Sequence, residues 1–321
     1  MTARTQWTEA TAAVEQAASI LIVTHVSPDG DAIGSLLGLA LALRERGKKV
    51  DAAVDGGTPD FLKFLPGAET VRDRLKGGRW DVMVSVDASD EERTGVCGAF
   101  GRARSQRVIN LDHHLTNTAF GDIFLVMPEA VSATEIVYRW LVEMQHPVSQ
   151  PVASALLAGL VTDTMGFRTQ NVTAGTFGIV QALMAAGAPL AEITARALVA
   201  KPYSLIELWK RVLPSVHLAD GVISALITQD DLTAAGIRDV TDGGLVSLLA
   251  SVEEARVAVV FKQKSDGAVE ISLRSKPGFD VGQVALELGG GGHAQASGAT
   301  IPGPLDAAAA RVIPLLEGIA R

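Results

Sequence analysis

Between residues 19 and 111 the chain repeats one pattern: a short, continuous apolar run, then a stretch with helical spacing. The first run, Ser19-Ile20-Leu21-Ile22-Val23-Thr24, is β-branched and has no polar residue at alternate positions. A strand of that kind must be covered on both faces, which is the signature of a parallel sheet with helices above and below. Comparable runs follow at 49–54, 79–86 and 107–111, separated by a helical pattern at 32–46 that closes at Gly47. Further helical patterns at 133–145, 151–161 and 172–186 continue the series. The alternation predicts an α/β fold, with a parallel sheet carrying helices on both faces in residues 1–190.

Residues 191–213 read as a helical linker, with Pro202 expected to break or kink it. Residues 214–321 carry a second, shorter set of strands and helices and predict a smaller α/β domain. Its strands are expected at 222–228, 256–263 and 269–274, and its helices at 230–235, 243–251, 281–288 and 306–319. A length of 321 residues accommodates two such domains, and 48% hydrophobic with 20% charged residues supplies cores for both.

In a parallel sheet, chemistry gathers outside the carboxyl ends of the strands. Eight acidic or imidazole residues fall there: His25, Asp29 and Asp31, then Asp87, then Asp112, His113 and His114, and finally Asp163 at the end of an apolar segment. Each alone has a bland explanation. A His pair on a loop is usually solvated, Asp29-Gly30-Asp31 makes a turn with Asp31 as a helix N-cap, and Asp163 could cap the next segment. Together they converge on one edge, where unscreened carboxylates would repel. A carboxylate–imidazole set without thiolates suits Mn²⁺, Mg²⁺, Zn²⁺ or Fe²⁺ and not a structural zinc cluster. Excess carboxylates allow one of them to bridge two cations, the arrangement that assists in-line phosphoryl displacement.

A net charge of −8 and a pI near 5.3 argue against a footprint for duplex nucleic acid. A short anionic substrate drawn to bound cations remains compatible with that charge. The single cysteine, Cys97, rules out an intramolecular disulfide and fits a reducing cytoplasm. The stretch from Met1 to Glu9 lacks a basic region followed by an apolar core, so no signal peptide is expected, and no apolar run is long enough to span a bilayer.

The segments Thr24-His25-Val26-Ser27-Pro28-Asp29-Gly30-Asp31, Val86-Asp87, Asp112-His113-His114 and Thr162-Asp163-Thr164 resemble the four motifs of the DHH phosphoesterase superfamily. The tract Gly289-Gly290-Gly291-Gly292-His293, with Ser272-Leu273-Arg274-Ser275 before it, resembles the associated DHHA1 domain. The resemblance covers nearly the whole chain. In length and domain pairing it is most similar to bifunctional oligoribonucleases and 3′,5′-bisphosphonucleoside (pAp) phosphatases.

The resemblance implies two divalent ions, Mn²⁺ in the first place and Mg²⁺ as the alternative. One would be held by His25, Asp29 and Asp87, the other by Asp31, Asp87, His113 and Asp163, with Asp87 bridging. His114 would face the scissile phosphate or leaving group, and Asp112 would orient a neighbouring histidine, so His114, Asp112 and Asp87 form the implied catalytic group. Arg274, Ser275, Gly290, Gly291, Gly292 and His293 would bind substrate phosphate, the glycines because their N–H groups can approach an anion closely. Arg168 would be a further contact, or else a surface ion-pair partner.

The expected partners are short single-stranded RNA oligonucleotides and pAp, with no duplex and no membrane; a homodimer is compatible. Rival expectations are a phosphodiesterase for cyclic or linear dinucleotides, a RecJ-like exonuclease for single-stranded DNA, and a non-catalytic, metal-dependent nucleotide sensor. One departure stands out: glycine is expected after Thr162-Asp163-Thr164, and Met165 is there.

Overall fold

The computed structural model describes residues 3–321; residues 1 and 2, part of the stretch read for a leader, lie outside them. The chain forms two compact units that divide between Ala200 and Lys201.

The first unit runs α1 (Ala3–Gln16), β1 (Ser19–Val23), α2 (Gly30–Glu45), β2 (Lys49–Ala53), β3 (Val71–Arg72), β4 (Trp80–Val86), α3 (Gly95–Arg102), β5 (Ser105–Asp112), β6 (Ile123–Val126), α4 (Ala133–Glu143), α5 (Gln150–Asp163), α6 (Ala174–Ala185) and α7 (Leu190–Thr194). Its sheet has the order β3-β2-β1-β4-β5-β6, and every pairing is parallel. The chain's direction of travel across the sheet reverses between β1 and β4, which opens a crevice at their carboxyl ends.

Both faces of β1 are buried, and this is why its sequence does not alternate. Ile20 and Ile22 join the large core with α2, α4 and α5, whereas Leu21 and Val23 pack with Trp80, Met83 and Cys97 under α3. In this unit three elements were not expected from the sequence. β3 has two residues, β6 has four, and α3 carries three glycines that weaken its helical signal. The last is stabilised at its start by the Asp55 carboxylate, which accepts from the N–H groups of Val96 (2.7 Å) and Cys97 (2.8 Å).

The contact that shapes the functional edge is between α2 and α5. Gly34 and Gly38 of α2 face α5 so closely that a Cβ on Gly34 would lie 2.6 Å from the Ala155 carbonyl, and one on Gly38 would lie 2.4 Å from Leu156 Cδ2. The α2 helix starts at Gly30, earlier than expected, and its N-cap is Asp29 and not Asp31. The Asp29 carboxylate reaches the N–H groups of both Asp31 and Ala32, which leaves Asp31 free to point away from its own helix end.

The second unit runs α8 (Tyr203–Val212), β7 (His217–Ala219), β8 (Val222–Ile227), α9 (Gln229–Ala234), α10 (Leu245–Ala250), β9 (Val257–Gln263), β10 (Val269–Ser275), α11 (Val281–Glu287), β11 (Gly291–His293), β12 (Ala296–Ile301) and α12 (Leu305–Ile319). Here β7, β11 and β12 were not expected from the sequence. Pro202 is the N-cap of α8, and the stretch before it is a π turn at Ala195–Val199. The sheet order is β11-β12-β10-β9-β8-β7, antiparallel except for β8–β9. Val257, Val259 and Phe261 of β9 pack toward α11 and α12, while Ala258 and Val260 pack toward α8 and α10. No single helix among the described residues is long and apolar enough to cross a membrane.

Candidate active site

The crevice between β1 and β4 receives the expected residues. His25 follows β1, and Asp87 follows β4. Asp112 ends β5, with His113 and His114 immediately after it. Asp31 lies in the first turn of α2, and Asp163 is the last residue of α5, brought near by the close α2–α5 contact. Asp87 takes a left-handed backbone conformation, with φ of +56°, which aspartate tolerates better than most residues. Backbone strain of this sort is characteristic of sites where side-chain aim matters more than local stability.

Three overlapping carboxylate–imidazole groups result, His25–Asp29–Asp87, Asp31–His113–Asp163 and Asp87–Asp112–His113–His114, and Asp87 lies against His113 of the second at 3.6 Å. The His25 Nδ1 donates to the Val26 carbonyl (2.8 Å), which fixes its tautomer and turns Nε2 to within 3.5 Å of Asp87 Oδ2. His113 Nε2 lies 3.6 Å from Asp87 Oδ1, 3.7 Å from Asp163 Oδ2 and 3.8 Å from Asp31 Oδ2. These separations are too long for hydrogen bonds. They match two ligands sharing one cation, which at bond lengths of about 2.1 Å lie roughly 3.4–3.7 Å apart. Asp87 Oδ1 is buried and has no hydrogen-bond partner, a costly condition that a cation relieves. The residues therefore fit a divalent-metal site.

The two adjacent histidines differ. His113 faces three carboxylates at ligand spacing, whereas His114 Nδ1 lies 2.8 Å from Asp112 Oδ1. The other oxygen of Asp112 accepts from Asn117 Nδ2 at 2.6 Å. Asn117 is thus a supporting residue that the sequence marked only as a turn former. A second is Thr134, whose N–H and hydroxyl both reach Asp31 Oδ1 (3.0 and 2.8 Å) while the Ala133 N–H reaches Oδ2 (2.6 Å). The start of α4 therefore holds a carboxylate from α2. The Ser132-x-x-Glu135 spacing announces that helix start in sequence, with Ser132 Oγ accepting from the Glu135 N–H and the Glu135 carboxylate from the Val131 N–H, but not its distant guest.

Charge and burial compete within the cluster. Burial raises the Asp31 carboxyl to about 7, and the Asp87 charge adds to the effect. Burial, then the Asp31 charge, pushes Asp163 well above the usual range. Burial opposes the charged form of His113, but Asp87, Asp31 and Asp163 outweigh it and raise the ring to about 10. Burial also opposes the Asp87 anion, yet His113 and His25 hold its carboxyl below the ordinary range.

In metal-free protein, the raised His113 contributes stability that is complete below its ordinary value of 6.5 and is lost as pH climbs toward 10. Asp31, raised from 3.8 to about 7, already costs stability across the lower part of that climb. The melting temperature of the chelator-treated protein should therefore fall between pH 6.5 and 10. Mn²⁺ should raise it, and raise it more at the alkaline end, because ligands must shed protons to bind. Melting curves with and without EDTA test this; a metal-free midpoint that climbs with pH contradicts it.

In the second unit, Arg274, Ala296 and His293 sit opposite one another on β10, β12 and β11, which puts Arg274 and His293 on one face of the sheet. The glycine tract is a hairpin strand and not an open loop. The Gly290 N–H donates to the Ala285 carbonyl (2.7 Å), and a Cβ on Gly292 would lie 2.5 Å from the Ala296 carbonyl. Packing thus demands glycine at these positions independently of any ligand. The Ser275 hydroxyl is engaged by the carbonyls of Phe279 and Ala294. In the first unit, Arg168 is exposed, with Nε donating to the Met165 carbonyl at 2.7 Å.

The DHH family N-terminal domain matches residues 19–160, and the DHHA1 domain matches residues 222–317. The bifunctional oligoribonuclease and PAP phosphatase NrnA of Thermus thermophilus is 36% identical over 92% of this chain and 88% of that protein. This chain belongs to the DHH family. The NrnA protein of Bacillus subtilis is 28% identical, over 88% of this chain and 89% of its own length. Among solved structures, an exopolyphosphatase-related protein from Bacteroides fragilis superposes with a TM-score of 0.90 at 27% identity, covering 98% of this chain and 96% of that one.

Against the DHH pattern, the unexpected Met165 takes a left-handed φ of +49°, followed by Gly166 at +73° and Phe167 at +65°. The loop therefore keeps a backbone suited to glycine while displaying a methionine, at a cost on the order of 1 kcal/mol. The Met165 side chain is exposed, so the substitution changes the loop's surface and not its path.

Proposed function

We propose that the chain is a two-metal phosphoesterase. It degrades short RNA oligonucleotides to nucleoside monophosphates and removes the 3′-phosphate of pAp to give AMP. The observation that carries this reading is the set of carboxylate–imidazole groups gathered around Asp87, which belongs to one with His25 and Asp29 and lies 3.6 Å from His113 of the next, at the β1/β4 crevice. His25, Asp29 and Asp87 hold one ion; Asp31, Asp87, His113 and Asp163 hold the other. The ions are Mn²⁺, with Mg²⁺ as the alternative, and when bound they polarise the phosphate and lower the proton affinity of attacking water.

The chain's own residues do the rest. The Asp112 carboxylate, pinned by Asn117, orients the His114 ring toward the phosphate, where His114 provides a hydrogen bond or proton to the leaving oxygen. Asp31 is held in its ligand position by the first turn of α4. In the domain of residues 214–321, after the connection at 191–213, Arg274, His293 and the Gly291–Gly292 backbone receive a substrate phosphate, while Ser275 and Gly290, whose donors go to carbonyls, shape the site. In residues 1–190, Arg168 is a further phosphate contact. Recognition of a chain end needs few phosphate contacts, which suits a net charge of −8. The relatives named for oligoribonuclease and PAP phosphatase activity support the substrate assignment.

A substrate series with Mn²⁺ tests the assignment: di- to pentaribonucleotides, a long DNA strand and c-di-AMP. Fastest release of mononucleotides from the short ribonucleotides is expected. A best rate on long DNA or on c-di-AMP would replace this reading with an exonuclease or a cyclic-dinucleotide phosphodiesterase.

A further inference from the structure

Asp242, in the second unit, has an unusual environment. It lies in the turn Thr241-Asp242-Gly243-Gly244 that leads into α10, and only 8% of its surface is exposed. Its Oδ1 accepts from the Gly244 N–H at 2.8 Å. Its Oδ2 is buried with no hydrogen-bond partner. An anionic oxygen in that condition is expensive to bury and asks for a donor.

The Asp242 charge acts on Arg274, a half-buried guanidinium on β10, against which α10 packs. Arg274 has five N–H donors, and the hydrogen bond it makes within the described residues goes from Nη1 to the Leu273 carbonyl (2.9 Å). The two groups do not satisfy each other, for they form no ion pair among the described residues. A buried acceptor on the turn before α10 and a set of unspent donors on β10, the strand that α10 packs against, thus lie on the same side of the sheet.

A bare phosphate at Arg274 would meet the Asp242 anion and be repelled. A ligand that brings a phosphate together with a nearby donor satisfies both. Asp242 has a single oxygen to offer, which excludes the two-point contact that a guanine edge makes with a carboxylate. One hydroxyl fits. In an RNA strand the 3′-oxygens are esterified, so the hydroxyl present at every internal nucleotide is the 2′.

We infer that Asp242 is a specificity residue that accepts a hydrogen bond from the ribose 2′-hydroxyl of a nucleotide whose phosphate is bound by Arg274. The assignment rests on the phosphate role given to Arg274 above, and it predicts that this chain selects RNA over DNA.

The test measures binding of the product AMP and of 2′-deoxy-AMP to the full chain by calorimetry, so that it needs no turnover. Wild-type protein should bind AMP about tenfold more tightly, the worth of one hydrogen bond to a charged acceptor. Asp242→Ala should lose that tenfold on AMP and leave 2′-deoxy-AMP within twofold. Asp242→Asn keeps the Oδ1 bond to Gly244 and guards against a folding defect. A hydroxyl can accept from the new amide where a base amino group cannot, so this variant should retain most of the AMP preference.

Equal weakening of both ligands in Asp242→Ala, or no preference in wild type, overturns the inference. Loss of preference in Asp242→Asn as complete as in Asp242→Ala overturns the hydroxyl contact, and equal weakening of AMP and 2′-deoxy-AMP in both variants points instead to the adenine amino group that the two ligands share. A protein that selects AMP but hydrolyses no phosphoester would keep this inference and sink the proposed activity.

Discussion

Replacing Asp87 with asparagine should lower turnover of both pAp and short RNA by about 10³-fold or more. The estimate follows from the several kcal/mol of transition-state stabilisation that a metal pair supplies, at tenfold per 1.36 kcal/mol. Asp87 stands between His25 Nε2 at 3.5 Å and His113 Nε2 at 3.6 Å, so its loss affects both ions at once, whereas Asp29 or Asp163 touches one group. Asparagine is the informative substitution because it tolerates the left-handed backbone at +56° that alanine would strain. Its uncharged amide also removes an anion between two imidazoles, so metal stoichiometry should fall together with rate. Unchanged turnover in a folded Asp87→Asn protein would refute the bridging role.

The second large effect separates two neighbours. His113→Ala should weaken metal binding by more than about 100-fold, and excess Mn²⁺ should restore part of the rate. His114→Ala should keep its metal and lose roughly 10²–10⁴-fold in kcat, with no rescue by metal, as expected for loss of a proton donor. The difference comes from partners. His113 Nε2 faces three carboxylates, Asp31, Asp87 and Asp163, at ligand distances, while His114 Nδ1, 3.8 Å from Asp87, is engaged by Asp112 at 2.8 Å. Metal content and steady-state kinetics on the two variants decide it; equal loss of metal from both would show the pair acting as one unit.

Much of this arrangement was legible in the chain itself. The runs at β1, β4 and β5 are readable because burial on both faces forces unbroken apolar residues, and an acid or imidazole right after such a run must lie at the sheet's carboxyl edge. The elements that escaped notice lack that signature. β3 and β6 are too short to show a pattern, and the glycines of α3 disguise a helix. What no local pattern carries is long-range support. The hold of Thr134 on Asp31 spans 103 positions, and Asn117 acquires its role only once the chain after His114 turns back on Asp112. The glycine tract suggested an open anion-binding loop, but hairpin packing accounts for part of its composition. Asp242 was invisible for the opposite reason: its neighbours Gly243 and Gly244 make an ordinary turn, and only the fold shows that one oxygen is left without a donor.

Phosphoester hydrolysis at this site would depend on two ions held around Asp87. Titrating metal-free protein with Mn²⁺ while following phosphate release from pAp tests it most directly. Activity should rise until two ions are bound per chain, and EDTA should abolish it. Two bound ions with no turnover of pAp or of a diribonucleotide would contradict that expectation.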